Sequence, residues 1–313
     1  MHPELAIEAG EGTLKNAWHG IMGQKNEFGV MSALGVIFWF HAFLAKETKL
    51  LLALCGTAIA FYCVLLSRSS TSLLSTLFSM IFMVILLRAP LSSRRYMPYL
   101  VAIFASVVVI YALAILKIVP GLDALLNVVA SLTGKDTTFS NRSVIWDIVK
   151  EHVQLSPWFG SGYSAYWVGA VPSSPSYVFM SRAYFYPGSS HNGYLEIAND
   201  LGFVGLIVLL GFLVVFVRQS LKLMSLDRTQ GVLYLGIFFQ QAVINLSESD
   251  WLAMHSAFPV IIVVLATFGL ARALYEAKRS APLTTPTASA QPRPKRVGRV
   301  RRAFGPERGR RLV

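Results

Sequence analysis

The sequence predicts an all-α integral membrane protein with about seven transmembrane helices and one large loop on the outer face. Three observations carry that expectation. Of 313 residues, 54% are hydrophobic and 14% are charged, against roughly 45–50% and about 25% in soluble domains. Seven apolar runs approach or exceed the length of about 20 residues that a helix needs to cross hydrocarbon. The basic residues, finally, fall mostly on one side of those runs.

In chain order, residues 1–27 form a short lead containing Glu4, Glu8 and Glu11. The runs follow at 28–44, 50–66, 71–87 and 99–119, so that 28–119 reads as four spans. Residues 120–200 form the large loop, and runs at 201–217, 232–246 and 258–274 make 201–276 a second block of three spans. Residues 277–313 carry eleven Lys or Arg among prolines and small residues, the composition of a disordered cytoplasmic tail. Threading back from that tail puts nineteen basic residues inside and seven outside. The count supports a multi-pass topology with a cytoplasmic C-terminus. It also leaves the first 27 residues outside with no span ahead of them, for which an N-terminus that is outside by itself and a chain that continues upstream of Met1 are the two readings.

The net charge of +12 belongs to this topology and not to a nucleic-acid surface. Cys55 and Cys63 share one apolar run, so neither a disulfide scaffold nor a cysteine metal site has the residues it needs. The histidines show no metal-binding spacing, and phosphate-binding glycine loops and nucleophile elbows are absent.

The stretch 120–194 is far longer than the usual connection between packed elements, and loops of that length carry function. It holds Trp146, Trp158, Trp167 and several tyrosines. Val144, Ile145, Ile148 and Val149 recur at helical spacing and predict an amphipathic helix over 141–154, with Thr138 or Ser140 as its cap. Arg142 falls in the first turn of that helix, where a cation opposes the macrodipole. A bound phosphate reverses that sign; lipid headgroups or a pair with Asp136 or Asp147 are the alternatives. His191 sits at the outer membrane surface, suited to general-base work or phosphate binding, with Glu196 and Asp200 as candidate partners. An ordinary interfacial histidine is the competing reading. Lys25 and Arg68 are outward cations at span ends, for which snorkelling is the simple account. Gly202 and Gly205 read as a close helix contact, and Glu248 and Asp250, on the short outer loop before the seventh span, as residues of a solvated loop, with a carboxylate supplied to the site as the alternative.

Taken in order, several segments resemble the O-antigen ligase and polysaccharide polymerase superfamily. His191-Asn192, nine residues, then Gly202-Phe203-Val204-Gly205 is similar to that family's outer-loop signature. Asn141-Arg142-Ser143-Val144-Ile145-Trp146 and Pro157-Trp158-Phe159-Gly160-Ser161-Gly162 resemble its Gly-Arg-x-x-x-Trp and Pro-x-x-Gly-x-Gly segments, with Asn141 in place of the glycine. Gly20 to Gly29, containing Lys25-Asn26, resembles its entry to a span, and Ser67-Arg68-Ser69-Ser70-Thr71 its Ser-x-Ser-basic-Thr turn, with Arg68 displaced from the expected basic position. The chain looks like the C-terminal portion, of the ExoQ-like branch.

The resemblance implies a bacterial inner-membrane glycosyltransferase, a metal-independent inverting exopolysaccharide polymerase. It would move glycan from an undecaprenyl-diphosphate-linked oligosaccharide to a sugar hydroxyl within the periplasmic loop, with no cofactor and no nucleic acid. Attachment of glycan to lipid A-core is the alternative, and a transport or non-catalytic export subunit is another. On this reading His191 and Arg142 are catalytic, Arg68 and Lys25 bind the diphosphate, and Asn192, Trp146 and Glu196 support them. Trp146, Trp158, Tyr163 and Trp167 either stack on sugars or anchor at the membrane interface. The bilayer, a glycan acceptor, a flippase and chain-length regulators are the implied partners.

Overall fold

The computed structural model describes residues 6–7, 16–90, 95–119, 121–122, 142–252 and 257–280. Glu4, Glu8 and Glu11 of the lead, the cap at Thr138 or Ser140, Asn141 and the tail from 281 onward lie outside these residues, whereas 277–280, expected in the disordered tail, continue the last helix. Within them the protein is all-helical, apart from a single antiparallel bridge between Ile7 and Trp18. Helices α1 (Lys25–Ala45), α2 (Leu50–Leu66), α3 (Ser70–Arg88) and α4 (Met97–Ile115) form the first block. Helix α5 (Arg142–Val153) and the short α6 (Val178–Arg182) lie in the large loop, and α7 (Gly193–Leu226), α8 (Arg228–Ile244) and α9 (Ala257–Ser280) form the second block.

Among the described residues, five helices are long and apolar enough to cross a membrane: α1, α3, α4, α7 and most of α9. The 17-residue α2 is apolar but shorter, and α8, also 17 residues, is buried along much of its length. This is a multi-pass membrane protein. Its outward faces are greasy, with Leu51, Ile59, Ile103, Ile207 and Phe268 all exposed, as a lipid-facing surface requires.

Helix α8 is the post around which the others pack. Phe239 meets Phe82 of α3 with ring centroids 3.9 Å apart and Phe104 of α4 at 4.1 Å, both edge-on. Leu213, Phe216 and Leu223 of α7, Leu270 and Leu274 of α9, and Leu34 and Ile37 of α1 complete the same core. Lipid tails are as apolar as leucine, so close packing and polar contacts hold such helices together. One polar contact closes the far end from the loop, where the Arg228 guanidinium donates to the Leu86 and Ala89 carbonyls left open at the end of α3.

The described part of the large loop from residue 142 onward is folded against the helices. Ile145, Trp146, Ile148 and Val149 on one face of α5 bury against Tyr166, Trp167 and Phe179, and this second core continues onto Leu195 and Ala198 of α7 and Leu246 beyond α8. The amphipathic pattern of the sequence therefore corresponds to a real buried face.

Helix α7 is longer than its apolar run. It begins at Gly193, and its first turns carry Glu196, Asn199 and Asp200. At Gly202 the backbone leaves helical geometry, with φ at +65°. A Cβ on Gly202 would lie 2.3 Å from the Trp158 carbonyl carbon, and one on Gly160 would lie 2.4 Å from that of Asp200. The loop passes against the break and satisfies it. Phe203 and Val204 N–H donate to the Pro157 and Trp158 carbonyls at 2.7 and 3.1 Å, while Ser161 and Gly162 N–H donate to the Asn199 and Asp200 carbonyls at 3.0 and 2.9 Å. The reading of Gly202 as a helix-packing glycine is thus corrected, because it is the hinge at which helix and loop exchange backbone hydrogen bonds.

Candidate functional site

The chain order of the site begins at α1. Gln24 precedes that helix, and Gln24, Asn26 and Glu27 line a cleft enclosing about 570 Å³, its open mouth included. Gly29, one turn further, is held close to the α2–α3 turn, since a Cβ there would lie 2.7 Å from the Ser72 hydroxyl and 2.8 Å from that of Ser67. In the turn itself the Ser67 hydroxyl accepts from Ser69 N–H, Ser69 caps α3, and Thr71 accepts a 2.8 Å hydrogen bond from Ser247. The turn is thereby fastened to the segment between α8 and α9.

That segment is the centre of the site. The Asn245 side-chain carbonyl accepts from both Asp250 and Trp251 N–H at 2.9 Å, coiling 245–251 into a tight turn. Gly193 packs against it so closely that a Cβ would lie 2.0 Å from that same oxygen. The coil presents Glu248 to two of the expected residues at once. Arg142 Nη2 donates to Glu248 Oε1 at 2.7 Å, and His191 Nδ1 lies 3.6 Å from Glu248 Oε2, an ion-pair separation. Burial opposes the charge of Glu248, but the His191 ring and Arg142 guanidinium outweigh it and hold the carboxyl below the ordinary glutamate range. The other guanidinium N–H groups of Arg142 have no partner among the described residues.

The loop bearing His191 is fixed from several directions. Trp146 donates its indole N–H to the Ser190 carbonyl at 3.0 Å. Asn192 caps α7, its side-chain carbonyl accepting from Tyr194 and Leu195 N–H while its amide donates to the Leu246 carbonyl at 3.1 Å. Glu196 accepts from Ser190 N–H at 2.7 Å and from the Ser249 hydroxyl at 3.3 Å. Between these anchors His191 adopts φ +49°, a left-handed conformation that a non-glycine residue takes only when its surroundings impose it.

The structure brings together Arg142, His191, Asn192, Trp146 and Glu196. Lys25 opens α1 between two residues of the cleft wall, whereas Arg68 is exposed on the α2–α3 turn and is not among the lining residues. Two expectations are corrected. Trp146 is 1% exposed, so it clamps the His191 loop instead of stacking on a sugar; Trp167 is buried as well, while Trp158 and Tyr163 are exposed. Glu248 and Asp250 are buried, at 4% and 6% exposure, and do not belong to a solvated loop. Arg142 pairs with Glu248, and Asp147 pairs with Lys150. The signal for Glu248 was two carboxylates in a short polar link between apolar runs, facing the side on which the cations lie. No group of three His, Cys, Asp or Glu able to hold a metal ion occurs among the described residues.

Residues 55–210 match a family model described as O-antigen ligase. The chain belongs to the O-antigen ligase family. Arg68, Arg142, His191, Gly202 and Gly205 fall inside the match, and Lys25, Glu248 and Asp250 fall outside it. The chain is also 34% identical over 217 residues to the exopolysaccharide production protein ExoQ of Rhizobium meliloti (strain 1021). That alignment covers 67% of this chain and 48% of the relative, so the chain spans about half the length of the curated relative it matches. Both comparisons place the likeness among proteins described by polysaccharide assembly, an O-antigen ligase family and an exopolysaccharide production protein.

Proposed function

We propose that the protein is an exopolysaccharide polymerase that transfers glycan from an undecaprenyl-diphosphate-linked donor to a sugar hydroxyl on the periplasmic face of the inner membrane. The observation that carries this reading is the convergence of Arg142 and His191 on buried Glu248. The Glu248 carboxylate, facing the Arg142 guanidinium and the His191 ring, holds both side chains in one geometry without a substrate. Arg142 keeps N–H donors for a phosphate, and guanidinium forks match phosphate oxygens. Arg142 and His191 then neutralise charge as the diphosphate departs, an electrostatic role for which side chains suffice and no metal is invoked. A single attack by the acceptor hydroxyl from the face opposite the leaving group inverts the anomeric carbon.

The orientation in this reading comes from the basic loops and tail, with seven crossings made when α2 and α8 span alongside the five longer helices. The large loop, 120–200, is then the periplasmic catalytic region, and Lys25 and Arg68 supply positive charge at its edge. Polymerisation is favoured over ligation to lipid A-core by the likeness to an exopolysaccharide production protein.

Size-resolved glycan analysis tests the reading in a deletion strain complemented with wild type, Arg142→Ala or His191→Ala at matched membrane levels. The expected outcome is short lipid-linked units with both variants and long polymer with wild type. Full polymer from both variants overturns it.

A further inference from the structure

The cleft beside the Arg142–Glu248–His191 cluster has the wrong charge for a diphosphate. None of its lining residues is Lys or Arg, and its walls carry the carboxylates of Glu27, Glu196, Asp200, Glu248 and Asp250. An anion is repelled there, whereas a polyhydroxyl ligand finds acceptors for its O–H groups and donors at the Gln24 and Asn26 amides. The two chemistries of the proposed reaction are therefore separated in space, with cations against Glu248 on one side and hydrogen-bond acceptors on the other.

Most of the carboxylates are occupied. Glu248 is held by Arg142, Glu196 accepts from Ser190 and Ser249, and Asp200 accepts from Ser164 and Asn199. Asp250 differs. It is 6% exposed, it lines the cleft, and its Oδ2 has no hydrogen-bond partner among the described residues. A buried carboxylate oxygen without a partner is costly, and a ligand hydroxyl removes that cost.

We propose that this acidic cleft is the acceptor-sugar site and that Asp250 Oδ2 takes the proton of the attacking hydroxyl. The inference rests on the glycosyl-transfer reading above and assigns its second half. As the acceptor oxygen bonds to the anomeric carbon, its proton passes to Asp250. The bond from that carbon to the phosphate oxygen breaks, and its electron pair leaves with the lipid diphosphate. Burial, with the neighbouring charges of Glu248 and Glu27, pushes the Asp250 carboxyl up to about 7. That is the range in which a general base is most effective near neutral pH. Glu196 and Asp200 face the same cleft and add to the negative surroundings, and Arg142 and His191 stand behind Glu248. His191, whose Nδ1 faces Glu248, is left with the diphosphate.

The test uses the full chain in proteoliposomes with an undecaprenyl-diphosphate-linked repeat unit as donor and a free oligosaccharide of the same repeat as acceptor. Donor retention and transfer are measured separately for wild type, Asp250→Asn, Asp250→Glu and Arg142→Ala. Asp250→Asn should retain donor as wild type does, lose transfer by about 10²–10⁴-fold and lose the rise of rate with pH through neutrality. Asp250→Glu should recover part of the rate, and Arg142→Ala should lose donor retention. Transfer by Asp250→Asn at the wild-type rate overturns the assignment, as does a fall matched by equal loss of donor. Wild type that neither retains donor nor transfers overturns the glycosyl-transfer reading itself.

Discussion

At the scale of single residues, Glu248 decides how the site behaves. It is buried against the Arg142 guanidinium and the His191 ring, and breaking a buried pair from one side costs about 3–5 kcal/mol because the remaining charge is left uncompensated. Glu248→Gln should therefore lower the Tm of the solubilised protein at pH 7 by several degrees, measured by fluorescence unfolding, and abolish polymer even though the amide has the same shape. The two neighbouring carboxylates respond to pH with opposite sign. Glu248 titrates below its ordinary range, so its contribution to stability is complete above that range and disappears as pH falls through its own lower value. Asp250 titrates near 7, above its unfolded value of about 4, so the folded state is favoured at low pH and loses that advantage as pH rises through 7. Asp250→Asn should raise Tm relative to wild type at pH 8, and the gain should shrink as pH falls below 7 and vanish below about 4. A stabilising substitution that removes activity is the behaviour of a site strained for its task. Asn192→Ala should cost about 1 kcal/mol through the lost cap, and more through the freed Leu246 carbonyl, read as a lower unfolding midpoint.

At the scale of elements, apolar runs made most helices legible, and the run at 50–66 is the helix Leu50–Leu66. The ends that differ have physical reasons. The fourth run was expected to reach 119, but Lys117 takes φ +53° and the helix closes at Ile115. The seventh helix begins at Gly193, because Glu196, Asn199 and Asp200 sit in a protein pocket and not in lipid, so hydropathy does not reveal their turns. The break at Gly202 was invisible for another reason, since its hydrogen-bond partners are 38 to 46 residues away in the chain. Gly202→Ala should be severely destabilising, as the new methyl meets Trp158 backbone at 2.3 Å and the backbone holds a left-handed φ. Limited proteolysis should show faster cleavage between α5 and α7 in that variant. Of the site, Arg142 and His191 were readable from local pattern, but Glu248 lies 106 residues from Arg142, and no periodicity spans that distance.

At the scale of the whole molecule, the proposed orientation makes a labelling prediction. In a background with Cys55→Ser and Cys63→Ser, Ser181→Cys should react with an impermeant maleimide added to spheroplasts, and Ser225→Cys only after the membrane is opened. The reverse pattern would invert the topology and remove the loop from the periplasm. Either result leaves the helical packing around α8 intact, because that packing depends on apolar fit and not on which side faces the cell.

The pairing of Arg142 and His191 with Glu248 also sets an order of assembly. A ribosome releases the chain from its N-terminus, so both cations are made and delivered before their shared counter-ion exists. Pro157 to Gly162 likewise precedes the break at Gly202 and stands ready to receive it. The carboxylate arrives only with the link between α8 and α9, and with it comes Ser247, which ties down the α2–α3 turn. Maturation thus ends where chemistry begins. Until the last hairpin is inserted, Arg142 and His191 lack the carboxylate that holds them together, so an incompletely inserted chain should be inert toward the lipid-linked sugars around it.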